Sequence, residues 1–395
     1  MQPRGAQSLS PVRAIFACLF LACVAARPAQ ADGIPALELG LRYTGEVIAD
    51  VAGGVERGAG YEGLLHVDLD ADLGRLARWD GTRLHASLYQ IHGHGPSANY
   101  VGNIMDVSNI EARPSTRLYA LWLEKSLPAA RASLRAGQLG ADEEFLISPT
   151  ASTLINGSFG WAALAATDQT NGGPAYPLAT PGVRLRIAPQ RHDAFLLAAF
   201  AGNPAGSRCE ASPQRCDPYG TTFSVSGGTL WMSELQLAGA YKLGGWHETG
   251  SFADQGSGAL EHRDDWGLYA IADRALWRGH AARSLSAFLR AGAAPADRNP
   301  IPSYVDAGLG YAGAFPGRPR DVLTLGVAYA KVSGEARDYE SVIELSYVAR
   351  LARWCSLQPD LQYVIHPGGN APDPNDPSRP IPDALVVGLR ATLGL

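Results

Sequence analysis

The 395-residue chain reads as an all-β protein, a sixteen-stranded antiparallel transmembrane β-barrel, on three observations. After residue 31, apolar residues recur with period two, and helical periodicity is hard to find. The alternating stretches run about 9 to 14 residues, close to a tilted membrane strand and longer than the five or six usual in soluble sheets. Sixteen of them can be counted, an even number, and their connections alternate between short and mostly longer. That pattern describes an up-and-down barrel with short periplasmic turns and long extracellular loops.

Taken in order, the segments are 36–48, 60–73, 81–92, 115–127, 131–139, 182–189, 193–202, 228–240, 244–254, 263–276, 283–293, 302–314, 320–333, 339–351, 354–366 and 382–395. In the first, Leu37, Leu39, Leu41 and Tyr43 oppose Glu38, Arg42 and Glu46. With Leu84, Ala86 and Leu88 toward lipid, Arg83, His85, Ser87 and Tyr89 face inward. Ala132, Leu134 and Ala136 outward leave Arg131, Ser133 and Arg135 inward; Val183, Leu185 and Ile187 leave Arg184 and Arg186. Both faces around Arg117 contain apolar residues, so its direction stays open. Later, Ile343 and Leu345 oppose Glu344 and Ser346, and Leu361 and Tyr363 oppose Asp360 and Gln362. The final segment places Leu385, Val387, Leu389, Ala391, Leu393 and Leu395 on one face. Aromatics near segment ends, Trp122, Trp231, Trp246, Trp266, Trp277 and Tyr329 among them, fit interfacial girdles.

Composition narrows the class. With 18% charged residues and a mean hydropathy of -0.06, the chain is too polar for a helical membrane protein and too apolar for a disordered one. A net charge of -5 supplies no basic footprint for nucleic acid. Arg4 and Arg13, the apolar run Ala14 to Ala26, and Ala29-Gln30-Ala31 form a signal peptide over residues 1–31, leaving a barrel over 32–395. In the exported chain, Cys209 and Cys216 sit in one polar segment and suggest a loop disulfide, with free thiols or half a metal site as the alternative; Cys355 is left over.

Three stretches carry a family resemblance: Gly137-Gln138-Leu139-Gly140-Ala141-Asp142-Glu143-Glu144-Phe145, Ile155-Asn156-Gly157-Ser158-Phe159-Gly160-Trp161, and Pro174 through Arg186. Together they resemble the constriction segment of carbohydrate-selective outer-membrane porins of the OprB type. Leu357 through Gly369 resembles that family's penultimate strand. The resemblance runs over nearly the whole exported chain. It implies a sixteen-stranded porin in a Gram-negative outer membrane, passing monosaccharides such as glucose down their gradient. The chain departs from the usual terminal aromatic of such barrels by ending in Leu395.

The residues themselves point to a constriction. The connection 140–181 is longer than compact domains carry without a function. Folded into the lumen, it would narrow the pore with Glu144, Asn156, Phe159, Trp161 and Tyr176, facing Arg83, Arg135, Arg184 and Arg186. Aromatic faces stack on sugar rings, and amides, carboxylates and arginines bond hydroxyls. The alternative is a plug that packs its own aromatics and pairs its acids with wall arginines.

Competing motifs lack context. Gly308 to Gly313 matches a dinucleotide fingerprint but lies within a strand, and Asn156-Gly157-Ser158 matches a glycosylation acceptor inside the constriction segment. His92 and His94 lack a third metal ligand, and Asp142, Glu143 and Glu144 are adjacent rather than opposed. The expectation is a channel for small carbohydrates, not an enzyme, with no cofactor, metal or nucleic acid. Its other partners are outer-membrane lipid and the barrel assembly machinery, and a homo-oligomer is compatible with the sequence. The same barrel as a general or organic-acid porin is the nearest alternative, and a secreted β-rich glycan-binding protein the next.

Overall fold

The computed structural model describes residues 36–394 except 210–211, 259–260, 281 and 335–337. The expected signal peptide and the terminal Leu395 lie outside the described residues.

Alternating sequence produces a closed wall. Its strands are β1 (Leu37–Ala52), β2 (Gly58–Asp72), β3 (Thr82–Gly93), β4 (Ser115–Leu127), β5 (Ala132–Leu139), β6 (Thr180–Gln190), β7 (Asp193–Ala201) and β8 (Thr229–Leu237). They continue with β9 (Tyr241–Ala253), β10 (Glu261–Arg278), β11 (Ser284–Ala293), β12 (Ser303–Ala312), β13 (Val322–Lys331), β14 (Tyr339–Arg350) and β15 (Cys355–Ile365). A small hairpin of β16 (Pro372–Asp373) and β17 (Asp376–Pro380) precedes β18 (Ala384–Gly394). β18 pairs antiparallel with both β15 and β1, with Val47 opposite Leu389, so sixteen strands close without an edge. Closure matters because lipid offers no partner to an open strand edge.

The two faces differ as the alternation requires. Leu39, Leu123, Val183, Leu268, Leu325, Leu345 and Leu389 are exposed on the outer wall. Glu46, Glu234, Asp306, Glu340 and Glu344 are buried on the inner one. Trp122 and Trp246 do not join the girdle: at 6% and 3% exposure they turn inward, and Trp122 stacks on His85 at 4.7 Å. Gly137, opposite Trp122, has φ 144°, and a Cβ there would lie 2.2 Å from the Leu121 carbonyl oxygen. Arg131 falls in the β4–β5 turn at φ 49°, its guanidinium donating to the Pro189 carbonyl, so it is not a lumen residue. β8 stops at Leu237 rather than 240 because Ala238, at φ 54°, turns the chain.

β5 ends at Leu139, where the chain leaves the wall, and its upper neighbour on β4 needs another partner. The 202–228 connection supplies it: Leu118 N donates to the Tyr219 carbonyl at 2.9 Å, and Gln138 Nε2 reaches the Gly220 carbonyl at 2.9 Å. That connection is tied by a Cys209–Cys216 disulfide. The residues 94–114 and 140–179 turn into the barrel, where Val101, Met105, Val107, Phe145, Leu154, Ile155, Phe159 and Leu164 form its buried core.

Candidate functional site in the lumen

A loop inside a barrel has peptide groups without a ladder, and an inward carboxylate on the wall has lost water; each needs a partner. They satisfy each other strand after strand. Glu234 on β8 accepts from Leu146 N at 3.0 Å and Glu248 on β9 from Thr170 N at 3.0 Å. Asp273 on β10 accepts from Thr150 N at 2.8 Å and from the Ser148 and Thr150 hydroxyls at 2.7 Å. On β14, Glu344 takes Ile155 N at 2.5 Å and Asn156 N at 3.0 Å; Glu340 takes Ile104 N at 2.8 Å and Met105 N at 2.7 Å. Charge-assisted bonds of this kind are the stronger ones.

Three of the loop's carbonyls are met by one cation. Arg290 on β11 is fully buried, paired with Asp306 on β12 at 2.5 Å. It donates to the carbonyls of Leu146 at 2.8 Å, Ser158 at 2.6 Å and Gly160 at 3.1 Å. These contacts fix the segment 145–160 against one side of the barrel.

What remains open lies between the two in-folded loops. A cavity of about 330 Å³ is lined by Asp106, Ser108, Asn109 and Glu111 from the first loop and by Asp142, Trp161 and Tyr176 from the second. This volume sits at the lower end of small-molecule sites. Trp161 and Tyr176 are half-buried there. Tyr176 is held in place by its hydroxyl on the Ile110 carbonyl at 2.8 Å and its N–H on Asp142 at 2.9 Å. Asp142 also accepts from the Tyr119 hydroxyl. Asp106 keeps its side chain accessible to the cavity, but its place deep inside the barrel withdraws it from bulk water and raises its carboxyl to about 6. Burial, with Asp106 and Glu62 nearby, raises Glu111 to about 9. A second cavity of about 650 Å³, lined by Arg42, Thr44, Asp68, Thr153, Arg350 and Gln358, lies toward the short-turn end, and Ser152 lines both.

With this geometry in view, the comparisons are decisive. The family described as carbohydrate-selective porin, OprB family, matches residues 56–395. The chain belongs to the OprB family. Porin B of Pseudomonas aeruginosa is 22% identical over 415 residues, covering 89% of this chain and 86% of that protein. The high-pH structure of Pseudomonas putida OprB superposes with a TM-score of 0.78 at 20% identity, covering 91% of this chain and 94% of that one. The outer membrane channel DcaP of Acinetobacter baumannii gives a TM-score of 0.53 at 12% identity, covering 91% and 97%. This OprB-family chain is an outer-membrane channel for carbohydrate-selective diffusion.

The family's constriction segment, placed residue by residue, divides. Trp161 and Tyr176 line the cavity. Asn156 does not: at 0% exposure its amide donates to Met105 O at 3.0 Å and Gln362 Oε1 at 3.1 Å, while its oxygen caps Ser158 N at 3.1 Å. Phe159, also at 0%, packs edge-on against Phe288 at 6.1 Å. Arg184, at 2%, donates to Glu144 at 2.6 Å, Glu124 at 2.9 Å and Ser133 at 2.8 Å. Arg135 pairs with Glu124 at 2.8 Å and lies 3.7 Å over the Trp122 ring. Arg135 and Arg184 are thus engaged with Glu124 and Glu144, two cations with two carboxylates, and none of the four lines the cavity. Arg83 is exposed at the short-turn end, in register with Glu124, and half-buried Arg186 sits opposite Ser133. Among the described residues no ion pair engages Arg83 or Arg186.

Sequence reasoning missed Asp106, Asn109 and Glu111, which lie in the 94–114 connection without a motif of their own, and the anchors Glu234, Glu248, Asp273, Arg290 and Glu340. Charges in the middle of alternating strands were the available signal, since a barrel can only point them inward.

Proposed function

We propose that the cavity between the two loops is the sugar filter of the channel. The observation that carries this is the joint lining of one cavity by the Trp161 and Tyr176 rings and the polar Asp106, Asn109 and Ser108. A ring face takes the apolar face of a pyranose, while carboxylate and amide oxygens accept its hydroxyl protons. Both loops are hung from the wall by their backbones, so the rings are positioned before a solute arrives. Glucose is the type of solute this site fits.

We read the protein as a passive channel rather than an enzyme. In support, Asp142 and Glu144 are engaged in positioning Tyr176 and Arg184 rather than opposed across a space for a glycosidic bond. Membrane insertion by the barrel assembly machinery follows from the same proposal. Liposome swelling tests the reading against a general or organic-acid porin. Glucose should enter several-fold faster than gluconate of similar size; equal rates, or faster gluconate entry, would contradict it.

A further inference from the structure

The charges around the filter are not balanced. Asp106, Glu111 and Asp142 line the cavity, and among the described residues no lysine or arginine does. Among the described residues, no hydrogen bond or ion pair engages the Asp106 carboxylate, although its side chain is exposed to the cavity. Behind it, Glu46 and Glu62 stand directly opposite each other on β1 and β2, both on the inner face. Like charges directly across a strand pair are unfavourable. Arg390 forms its ion pair with Glu46, at 2.5 Å. Glu62 is 3% exposed and neither of its carboxylate oxygens accepts a hydrogen bond. The unpaired Asp106 carboxylate thus faces a chamber that also offers an aromatic platform, while Glu111, raised to about 9, is neutral at pH 7.

A neutral hexose stacks on the platform and donates hydroxyl protons to Asp106 but leaves its charge unbalanced. A hexose with a protonated amine uses both. We propose that this cavity prefers amino sugars to their neutral counterparts and disfavours uronic acids and sugar phosphates, with Asp106 as the counter-charge to the ammonium and Trp161 as the stacking surface. The inference rests on the cavity being the sugar filter and adds the charge class of its solutes. The basic side chains of the second cavity, Arg42, Arg350 and Arg353, lie past Ser152 toward the short-turn end, so the preference is set on the long-loop side.

The test is concentration-dependent block of ion current in planar bilayers at pH 7, where an amine resembling an α-amino group is mostly protonated. Glucose, glucosamine and glucuronate are the probes, applied to wild type, Asp106→Asn and Trp161→Ala. Glucosamine should half-block at about one-fifth of the glucose concentration, and glucuronate should block least. In Asp106→Asn the glucosamine advantage should fall to less than twofold. Folding of each variant is checked by its heat-dependent shift on a gel. Equal half-block for glucose and glucosamine in wild type, with glucose block weakened by Trp161→Ala, overturns the charge preference and leaves the filter in place. An advantage that persists in Asp106→Asn overturns the assignment to Asp106. Glucose block absent from wild type, or unaltered by Trp161→Ala, overturns the filter itself and the preference with it.

Discussion

Asn156 and Trp161 flank the same short helical turn of the in-folded loop, Gly157–Gly160, yet their side chains live in different chemistry. Asn156 has every polar atom engaged within the protein and no exposure; Trp161 lies half-buried along the cavity. The wall-facing side of the loop is a structural seam, and the cavity-facing side is where a solute can touch. Both carry residue types suited to sugar binding, so the type alone does not distinguish them. What distinguishes them is whether the hydrogen-bonding capacity is already used.

The largest way to break this contrast is to cut the seam. Arg290→Ala leaves Asp306 buried without its partner and frees the carbonyls of Leu146, Ser158 and Gly160. Losing one member of a buried pair costs roughly 3–5 kcal/mol. The loop should leave its seat, raising single-channel conductance and exposing 145–160 to added protease. Wild-type conductance and protease resistance in this variant would contradict the seam's role.

A smaller effect is expected where the arginines pair beside the cavity. Arg184→Ala removes charged hydrogen bonds to Glu124 and Glu144, about 1.5–3 kcal/mol of local stability. Reversal potentials in a salt gradient should shift toward cations. Glucose block should weaken less than in Trp161→Ala; the opposite order would move the sugar contact to the arginine row.

Acidity sharpens the cavity side. Asp106, raised to about 6, is charged at pH 7.5 and loses its charge as pH falls through that value. The titratable groups that interact with it are Glu62, Glu111 and Glu340. Cation selectivity should therefore drop between pH 7.5 and 5, with a smaller drop in Asp106→Asn. Identical pH profiles for the two proteins would remove Asp106 from the charge of the passage.

The smallest effect belongs to Arg186, which has no ion pair among the described residues. Arg186→Ala should change stability by no more than about 0.5 kcal/mol. Ion preference should move slightly toward cations, with glucose block within twofold of wild type; a larger loss of block would extend the filter down to β6.

Most of the wall was legible because a strand's side chains alternate with period two, and the barrel turns that pattern into lipid and lumen faces. Leu385, Val387, Leu389, Ala391 and Leu393 could be placed on the outer face from the sequence alone. The exceptions were local: Trp122 and Trp246 looked like girdle residues because aromatic position near a strand end carries no direction. The seam was not legible for a different reason. Its bonds join a wall side chain to a loop peptide group, as Glu344 does with Ile155 N, and a peptide N–H has no sequence signature. Trp161 and Asn156 could be named together but not told apart, since burial on the loop depends on which wall residues reach it.

The central claim is that solute contact is confined to the cavity-facing side of the loop, and glucose titration against single-channel current in wild type and Trp161→Ala tests it most directly. Loss of an aromatic contact of about 1 kcal/mol predicts a half-blocking glucose concentration about fivefold higher in the variant, together with a larger open conductance. Unchanged half-block and unchanged conductance would show that sugar passes without touching this face.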